Sequence, residues 1–252
     1  MAINIEQYKA ITAELGTSVT LVAVSKIKPV EDIQALYDLG QRDFGENYVQ
    51  ELVEKQLLLP TDIRWHFIGH LQSNKVKYIA PFVHLIHGVD SFKLLLEIDK
   101  QAGKNNRVID CLLQVHIAQE ETKFGFSDEE LAEAMKVLRA NHASGLLGNV
   151  RVVGLMGMAS FSEDQQIVQK EFMYLKGLYD EYFPAGDGSA TPVANEPDTA
   201  AALAAAVVRP IAPPLPTAML SMGMSNDYRL AITCGSNLVR IGSLLFGARS
   251  KP

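Results

Sequence analysis

The chain has 252 residues, of which 48% are hydrophobic and 21% are charged, and this balance is typical of a globular protein that can bury a large core. The formal net charge of −6 at pH 7 argues against nucleic acid and anionic membranes as partners, because both require clustered lysine and arginine side chains. Two distant cysteines, Cys111 and Cys234, form neither a metal-binding pattern nor a disulfide framework, and Cys111 is expected to be a small core residue.

The N-terminal residues do not predict an export signal. The stretch "MAINIEQYKA" has no basic segment followed by an apolar one. The apolar run "LAAAVV" at 203–208 is far too short to span a bilayer. We therefore expect a cytoplasmic protein with reduced thiols.

The first half of the chain alternates short apolar runs with longer amphipathic ones, which is the pattern of β–α units in a parallel sheet. An N-terminal helix comes first, and four strands follow, all but the third with a helix after them. The predicted helices lie at 3–15, 30–39, 48–58 and 91–102, and the predicted strands at 20–26, 42–47, 63–69 and 84–90.

The second half continues the same alternation. Ser127 and Glu130 are three residues apart and form a capping box, which opens a helix that runs to Ala140. Further strands are predicted at 108–117, 150–158, 218–223 and 237–242, and further helices at 164–182 and 226–233.

Eight strand–helix steps in a chain of this length predict an α/β fold, a (β/α)8 TIM barrel that forms one domain over residues 1–252. An open doubly wound sheet is the alternative, but no glycine-rich dinucleotide fingerprint follows the first strand. The segment from Phe183 to Thr217 interrupts the alternation because it is rich in Pro, Ala and Gly. We expect residues 184–217 to form a partly disordered surface insertion rather than a functional lid.

The stretch "LVAVSKIKP" at 21–29 places a lysine at the end of the first, buried strand. In a closed barrel this strand neighbours the eighth, so the Lys26 amine can face the pocket at the carboxyl ends of the strands. Desolvation disfavours the ammonium form, and a neutral amine is a nucleophile that forms Schiff bases with carbonyls. The alternative is a salt-bridged or snorkelling lysine.

The loops after the seventh and eighth strands are the usual phosphate site of such barrels. Here the seventh strand ends in "SMGMSND", which predicts that Ser225 is the N-cap of the next helix, and a helix N-terminus favours an anion. The eighth strand ends in "RIGS", where Gly242 lets the backbone approach a ligand and Ser243 adds a hydroxyl. An ordinary cap and an ordinary turn glycine are the alternatives, but the two strand ends together indicate phosphate binding.

Arg240 lies two residues before Gly242 on the eighth strand, so its side chain should point into the barrel interior. A buried arginine stays charged and only donates hydrogen bonds. If it faces an aromatic nitrogen, it keeps that nitrogen unprotonated. The alternative is a structural ion pair with Glu46 or Asp90.

Two histidines four residues apart in "HFIGH", His66 and His70, would suggest a metal site on a helix. Here the pair spans a strand end and a loop, and no third ligand is nearby in the sequence. A metal site is therefore not predicted.

Together these stretches resemble a known family. The motifs are "LVAVSKIKP", "FGENYVQE" (44–51), "WHFIGHLQSNK" (65–75), "GLMGMA" (154–159), "LSMGMSNDYRLAI" (220–232) and "GSNLVRIGSLLFGAR" (235–249). They resemble the YggS/PROSC family of pyridoxal 5′-phosphate (PLP) homeostasis proteins over nearly the whole chain. That family is similar to the barrel domain of alanine racemase and of eukaryotic ornithine decarboxylase, without their second, β-rich domain.

The resemblance implies that PLP is the cofactor and that Lys26 holds it covalently as an internal aldimine. It also implies roles for five other residues: phosphate binding by Ser225, Gly242 and Ser243, contact with the pyridine nitrogen by Arg240, and contact with the ring by Asn47. Asn237 stands where the family commonly has threonine, so a hydroxyl contact is lost there, although Ser236 remains.

The resemblance further implies a carrier or regulator of intracellular PLP rather than an enzyme. With Arg240 at the ring nitrogen the cofactor is a weak electron sink, and the chain offers no obvious second base on the opposite face. His66 and Tyr48 are better interpreted as core or rim residues, so no catalytic residue is assigned. We expect a monomer, with PLP-dependent apoenzymes as candidate recipients of the cofactor.

Three alternatives stay open on the sequence alone. The first is a PLP-dependent amino-acid racemase of weak activity, which proton exchange at Cα in deuterated water would support. The second is a class I aldolase whose lysine attacks a sugar phosphate, which bound PLP would exclude. The third is a pure binding module for a regulatory partner, which a pull-down would test.

Overall fold

Eight parallel strands form a closed barrel in the computed structural model, which describes residues 3–120, 124–141, 147–184 and 218–247. The strands are β1 (Thr20–Val24), β2 (Asp43–Glu46), β3 (Arg64–Phe67), β4 (Leu85–Val89), β5 (Ile109–Gln114), β6 (Val150–Met156), β7 (Met219–Met224) and β8 (Leu238–Ile241). They follow chain order around the barrel, and β8 closes it on β1 through the pairs Thr20–Leu238 and Ala23–Ile241. The predicted barrel is confirmed, and the open sheet is excluded.

Helices surround the barrel, and one of them precedes β1 as predicted. They are α1 (Ile5–Leu15), α2 (Val30–Asp38), α3 (Val49–Leu58), α4 (Val76–Ile79), α5 (Phe92–Lys104), α6 (Asp128–Asn141), α7 (Gln165–Tyr182), α8 (Tyr228–Thr233) and α9 (Ser243–Phe246). A 3₁₀ turn at Ser73–Lys75 leads into α4. Among the residues that the structure describes, no helix combines the length and the apolar character needed to cross a bilayer.

Two apolar layers stabilise the barrel. The small interior layer comes from inward-pointing residues of the strands; its buried members are Val22, Leu85, Leu112, Val153, Met156 and Leu238. The larger layer lies between strands and helices and contains Trp65, Phe67 and Phe172, each at most 2% exposed. Burial of one such side chain contributes roughly 1.5–3 kcal/mol, so this larger layer supplies most of the apolar stabilisation.

The capping box predicted from Ser127 and Glu130 is present at the start of α6. The Ser127 N–H donates to the Glu130 carboxylate at 2.9 Å, and the Glu130 N–H donates to the Ser127 hydroxyl at 3.3 Å. Each side chain satisfies a backbone donor that the first helical turn leaves unpaired. The sequence signal and the local structure therefore agree at this end.

Some predicted boundaries differ from those observed. Strand β1 ends at Val24, so Lys26 lies in a turn rather than on the strand. Helices α4 and α9 were not predicted, because four residues are too few to show a helical period. The predicted insertion lies, from residue 185 onward, outside the described residues. Cys111 and Cys234 are both buried, free thiols.

Candidate functional site

The loop after β1 meets the end of β8 at one side of the barrel mouth. A Cβ built on Gly242 would lie 3.2 Å from the Val24 carbonyl oxygen and 3.3 Å from the Val24 Cβ, so the two chain segments are in close contact. The Lys28 amine donates a hydrogen bond to the carbonyl of Phe246 at 2.8 Å, which ties the loop to α9. Lys26 is partly buried and lies in sequence between Val24 and Lys28, which make these two contacts.

The ends of β7 and β8 are joined by a hydrogen bond from the Gly242 N–H to the Ser225 hydroxyl at 3.2 Å. The prediction that Ser225 is an N-cap is wrong, because α8 begins at Tyr228 and Asp227 occupies the capping position. The Asp227 carboxylate accepts the Met224 N–H at 2.6 Å, and this turn moves the helix start beyond Ser225. Ser225 consequently belongs with Gly242 rather than with a helix end.

Ser243 begins α9 and is exposed. It directly follows Gly242, whose N–H is bonded to the Ser225 hydroxyl. The sequence placed all three residues in the loops after β7 and β8, and the structure brings them to one edge of the mouth.

Arg240 is only 4% exposed and points into the barrel, as predicted. Its Nη1 donates to the Ser221 carbonyl at 2.9 Å and also to the Ser221 hydroxyl, and its Nη2 donates to the Gly157 carbonyl at 3.0 Å. The acceptors of Arg240 are therefore neutral oxygens. The alternative prediction, an ion pair with Glu46 or Asp90, is wrong.

Burial lowers the pKa of Arg240 to about 10, and the nearby charge of Asp227 opposes this shift. The guanidinium therefore remains protonated at neutral pH. Because it has no lone pair to offer, it can present only N–H donors to any group at the mouth.

A chain of buried polar side chains crosses the barrel behind Arg240. Asp43 Oδ1 lies 3.0 Å from His66 Nε2, and His66 Nδ1 lies 2.9 Å from His87 Nε2. His87 Nδ1 lies 3.0 Å from the Ser221 hydroxyl. One assignment of the protons gives each ring nitrogen of this chain a partner. In it the Ser221 O–H donates to His87 Nδ1, the His87 Nε2–H donates to His66 Nδ1, and the His66 Nε2–H donates to the ionised Asp43.

His66 was expected in the core or at the rim, but this chain of side chains was not predicted. Its members come from β2, β3, β4, β7 and β8, and only barrel closure brings them together. A polar residue inside each of the short strands β3 and β4, His66 and His87, was the available signal.

The interior setting moves the pKa values of these groups. Burial opposes ionisation of Asp43, but hydrogen bonds from His66 and Arg64 outweigh it and hold the pKa of this carboxyl well below its usual range. Burial lowers the pKa of His87 well below its ordinary value of 6.5, and the positive charge of Arg240 acts in the same direction. Burial also lowers the pKa of His84 to about 4.

Acid should therefore destabilise the fold in a pH range set by histidine. Below pH 6.5 the unfolded chain protonates His84 and His87 while the folded chain does not, so the free energy of unfolding falls with pH. His84, whose pKa is about 4, contributes a loss of about 2 kcal/mol between pH 7 and pH 5, and His87 adds to this loss. Below pH 3.8 the lowered pKa of Asp43 adds a further loss. Urea unfolding at several pH values measures this dependence.

The variant His84→Gln tests this dependence. It should remove about 2 kcal/mol of the loss between pH 7 and pH 5, because the amide does not titrate. A free energy of unfolding that is flat from pH 7 to pH 5 contradicts the argument.

Asn47 follows β2 at the mouth, where its side-chain carbonyl oxygen is buried and has no hydrogen-bond partner among the described residues. The Asn47 backbone is covered by Gly69, since a Cβ on that glycine would lie 2.5 Å from the Asn47 carbonyl. A buried polar atom without a partner costs about 1–3 kcal/mol. This orphaned acceptor indicates a place for a ligand donor, which the sequence could not reveal.

The two histidines of "HFIGH" are separated by their environments. His66 is buried inside the barrel, whereas His70 bonds Asp90 at 2.8 Å and stacks on Phe124 with 4.0 Å between the ring centres. Within the described ranges, no three His, Cys, Asp or Glu side chains are grouped so that they could hold a metal ion. Tyr48 is 55% exposed at the rim.

Residues 1–250 match the family described as the N-terminal domain of alanine racemase. The chain belongs to this family. Among its relatives is a pyridoxal phosphate homeostasis protein of Aquifex aeolicus, 40% identical over 230 residues that cover 91% of this chain and 86% of the relative. Another protein of that name, from Synechocystis, is 35% identical and the match covers 96% and 97% of the two chains. The resemblance to the YggS/PROSC family is confirmed.

Solved structures agree with this assignment. PipY of Synechococcus elongatus, solved with PLP bound, is 32% identical, covers 96% of this chain and 99% of its own, and superposes with a TM-score of 0.74. An alanine racemase from Streptomyces lavendulae is 14% identical, and the match covers 98% of this chain and 57% of that one with a TM-score of 0.66. The latter likeness supports the fold alone.

Proposed function

We propose that this protein binds PLP and takes part in its intracellular homeostasis, with the cofactor held as a Schiff base on Lys26. The observation that carries the proposal is the contact of the Lys26 loop with the joined ends of β7 and β8, which are the phosphate-binding edge of such barrels. The relatives that bear the name PLP homeostasis protein support the same function. PLP supplies an aldehyde that condenses with amines.

Lys26 provides the amine of the covalent link. Its Nζ forms a C=N bond with the aldehyde carbon, and the aldehyde oxygen leaves as water. Lys26 is partly buried in the turn after β1.

Ser225, Gly242 and Ser243 are the proposed phosphate-binding residues. The hydroxyls donate to phosphate oxygens. Gly242 leaves its backbone accessible because it has no side chain of its own. The hydrogen bond between Ser225 and Gly242 holds the two loops together. No lysine is required at this edge, since neutral donors alone can bind a phosphate.

Arg240 and Asn47 are the proposed contacts of the cofactor ring. A guanidinium that faces the pyridine nitrogen keeps that nitrogen unprotonated. Arginine has only N–H donors, so the nitrogen must be the acceptor of the hydrogen bond between them. The orphaned oxygen of Asn47 can accept a hydrogen bond from a ring substituent. The residues at the mouth thus fit the group in charge and in hydrogen-bond type.

We propose a carrier rather than an enzyme with strong activity. An unprotonated pyridine is a weak electron sink, and of the two residues considered for proton transfer, His66 is sealed inside the barrel and Tyr48 is exposed. The alternative is an amino-acid racemase of weak activity, which the family name favours. We further propose a cytoplasmic monomer of one domain that passes PLP to apoenzymes.

Reconstitution of the full chain with PLP tests the proposal. We expect a yellow protein whose visible band is lost on borohydride reduction, with the pyridoxyl group on the tryptic peptide 10–42, because modified Lys26 resists trypsin and Pro29 follows Lys28. A label on another lysine, or none, would overturn it. Cα proton exchange of amino acids in deuterated water separates the two functions: no exchange over hours supports the carrier, and exchange supports the racemase.

A further inference from the structure

The turn that carries Lys26 adopts a backbone conformation that its own residues disfavour. The Lys28 N–H donates to the Ser25 carbonyl at 3.0 Å and closes a four-residue turn. Ile27 occupies the third position with φ of 62°, where glycine or asparagine is the usual residue. A β-branched residue at positive φ is an outlier that persists only when its surroundings hold it.

The Ile27 side chain does not provide this hold, because it is 61% exposed. Its backbone does, since the Ile27 N–H donates to the Glu51 carboxylate at 2.6 Å. A hydrogen bond to an ionised acceptor is about twice as strong as a neutral one. Glu51 thus fixes the residue next to Lys26.

A buried lysine connects this contact to the other side of the turn. The Lys55 amine donates to Glu51 at 2.6 Å, to Glu46 at 2.8 Å and to the Ser25 carbonyl at 2.7 Å. The Ser25 hydroxyl in turn donates to Glu46 at 2.6 Å. Ser25 and Ile27 of the turn are therefore bonded to this cluster, and Lys28 is bonded to α9.

Burial of this cluster costs desolvation free energy. Glu46 is fully buried, Lys55 is 5% exposed, and the second carboxylate oxygen of Glu46 has no partner among the described residues. Burial raises the pKa of Glu46, against the attraction of Lys55. Such ion pairs are often no better for stability than apolar side chains of the same size, so their value lies in the conformation that they specify.

We infer that Lys55, Glu46 and Glu51 are positioning residues that hold the Lys26 turn in its strained form and aim the Lys26 amine at the barrel mouth. The inference rests on the proposed function, because it gives the turn a purpose only if Lys26 forms the covalent link. A pre-formed turn lowers the entropic cost of each condensation and speeds the reaction with the aldehyde.

Glu51→Ala tests this inference, and Glu54→Ala, at an exposed position three residues further along α3, is the matched control. Glu51→Ala removes the acceptor of the Ile27 N–H, so the rate of imine formation with added PLP should fall about tenfold. Amide exchange at Ile27 should accelerate by a similar factor without PLP. Glu54 bonds only Gln50 at 3.3 Å among the contacts of its side chain described here, and its loss should change neither readout.

Glu51→Gln supplies the rescue, because its amide oxygen can still accept the Ile27 N–H. We expect it to restore both rates to within about threefold of the unaltered protein. Equal rates of imine formation for Glu51→Ala and the unaltered protein, with Lys26 labelled in both, would overturn this inference and leave the proposed function intact. Absence of label on Lys26 in the unaltered protein would instead overturn the proposed function.

Discussion

Lys26→Ala is expected to abolish covalent retention of PLP and the yellow colour of the reconstituted protein. Without the amine, only the contacts of the phosphate and the ring hold the cofactor, so its affinity should fall by roughly hundredfold, or about 2.7 kcal/mol. Borohydride should then leave no pyridoxyl group on peptide 10–42. Absorbance titration, gel filtration and peptide mapping measure the three effects.

Two lysine controls make this result specific. Lys9 is exposed on α1, and Lys9→Ala should bind and retain PLP like the unaltered protein. Lys28 lies on the same peptide, but its amine is engaged by the Phe246 carbonyl, so it should not replace Lys26. A Lys26→Ala protein that stays yellow, with borohydride still trapping PLP on that peptide, refutes the assignment.

Gly154→Ala is expected to cost the protein roughly 3–5 kcal/mol of folding free energy. Gly154 has φ of 152°, and a Cβ at this position would lie 1.8 Å from the Met219 carbonyl oxygen on the paired strand β7. That oxygen belongs to the barrel backbone and cannot rotate away. The variant should be insoluble or should unfold at a much lower urea concentration, as chemical denaturation will show.

Gly177→Ala is the matched control, because Gly177 is an exposed residue of α7 and nothing lies within 4 Å of an added Cβ. Alanine is the better helix former by about 1 kcal/mol, so this variant should be slightly more stable than the unaltered protein. If Gly154→Ala unfolds at the same urea concentration as the unaltered protein, the close approach of β6 and β7 is refuted.

The bulge at Gly154 illustrates what the sequence could not show. The run "VRVVGLMGM" predicts a buried strand, because a strand covered on both faces is apolar along its whole length. The pairing jumps from Val152 to Gly154 against β5, and Val153 is left as an extra residue. The position of this bulge depends on how β6 pairs with the neighbouring strands. The residues of β6 alone do not indicate that pairing.

The helix after β7 shows the same limit on a smaller scale. Ser225 is a good capping residue, and the sequence predicted it as the N-cap of α8. In the structure the Asp227 carboxylate accepts the Met224 N–H, α8 begins at Tyr228, and the Ser225 hydroxyl accepts the Gly242 N–H. The contact between the two loops, which local propensity does not encode, decided the position of Ser225.

The sequence by itself determined the barrel, its order of strands and the lysine of the proposed site. Those properties reside in short stretches of chain: continuous apolar runs, capping residues and the "LVAVSKIKP" motif. Only the tertiary structure decided which polar side chains meet, namely the chain from Asp43 to Arg240 inside the barrel and the cluster of Lys55 under the Lys26 turn. The physical reason is that closure of the barrel joins residues far apart in sequence, and burial then makes each of their unpaired polar atoms costly.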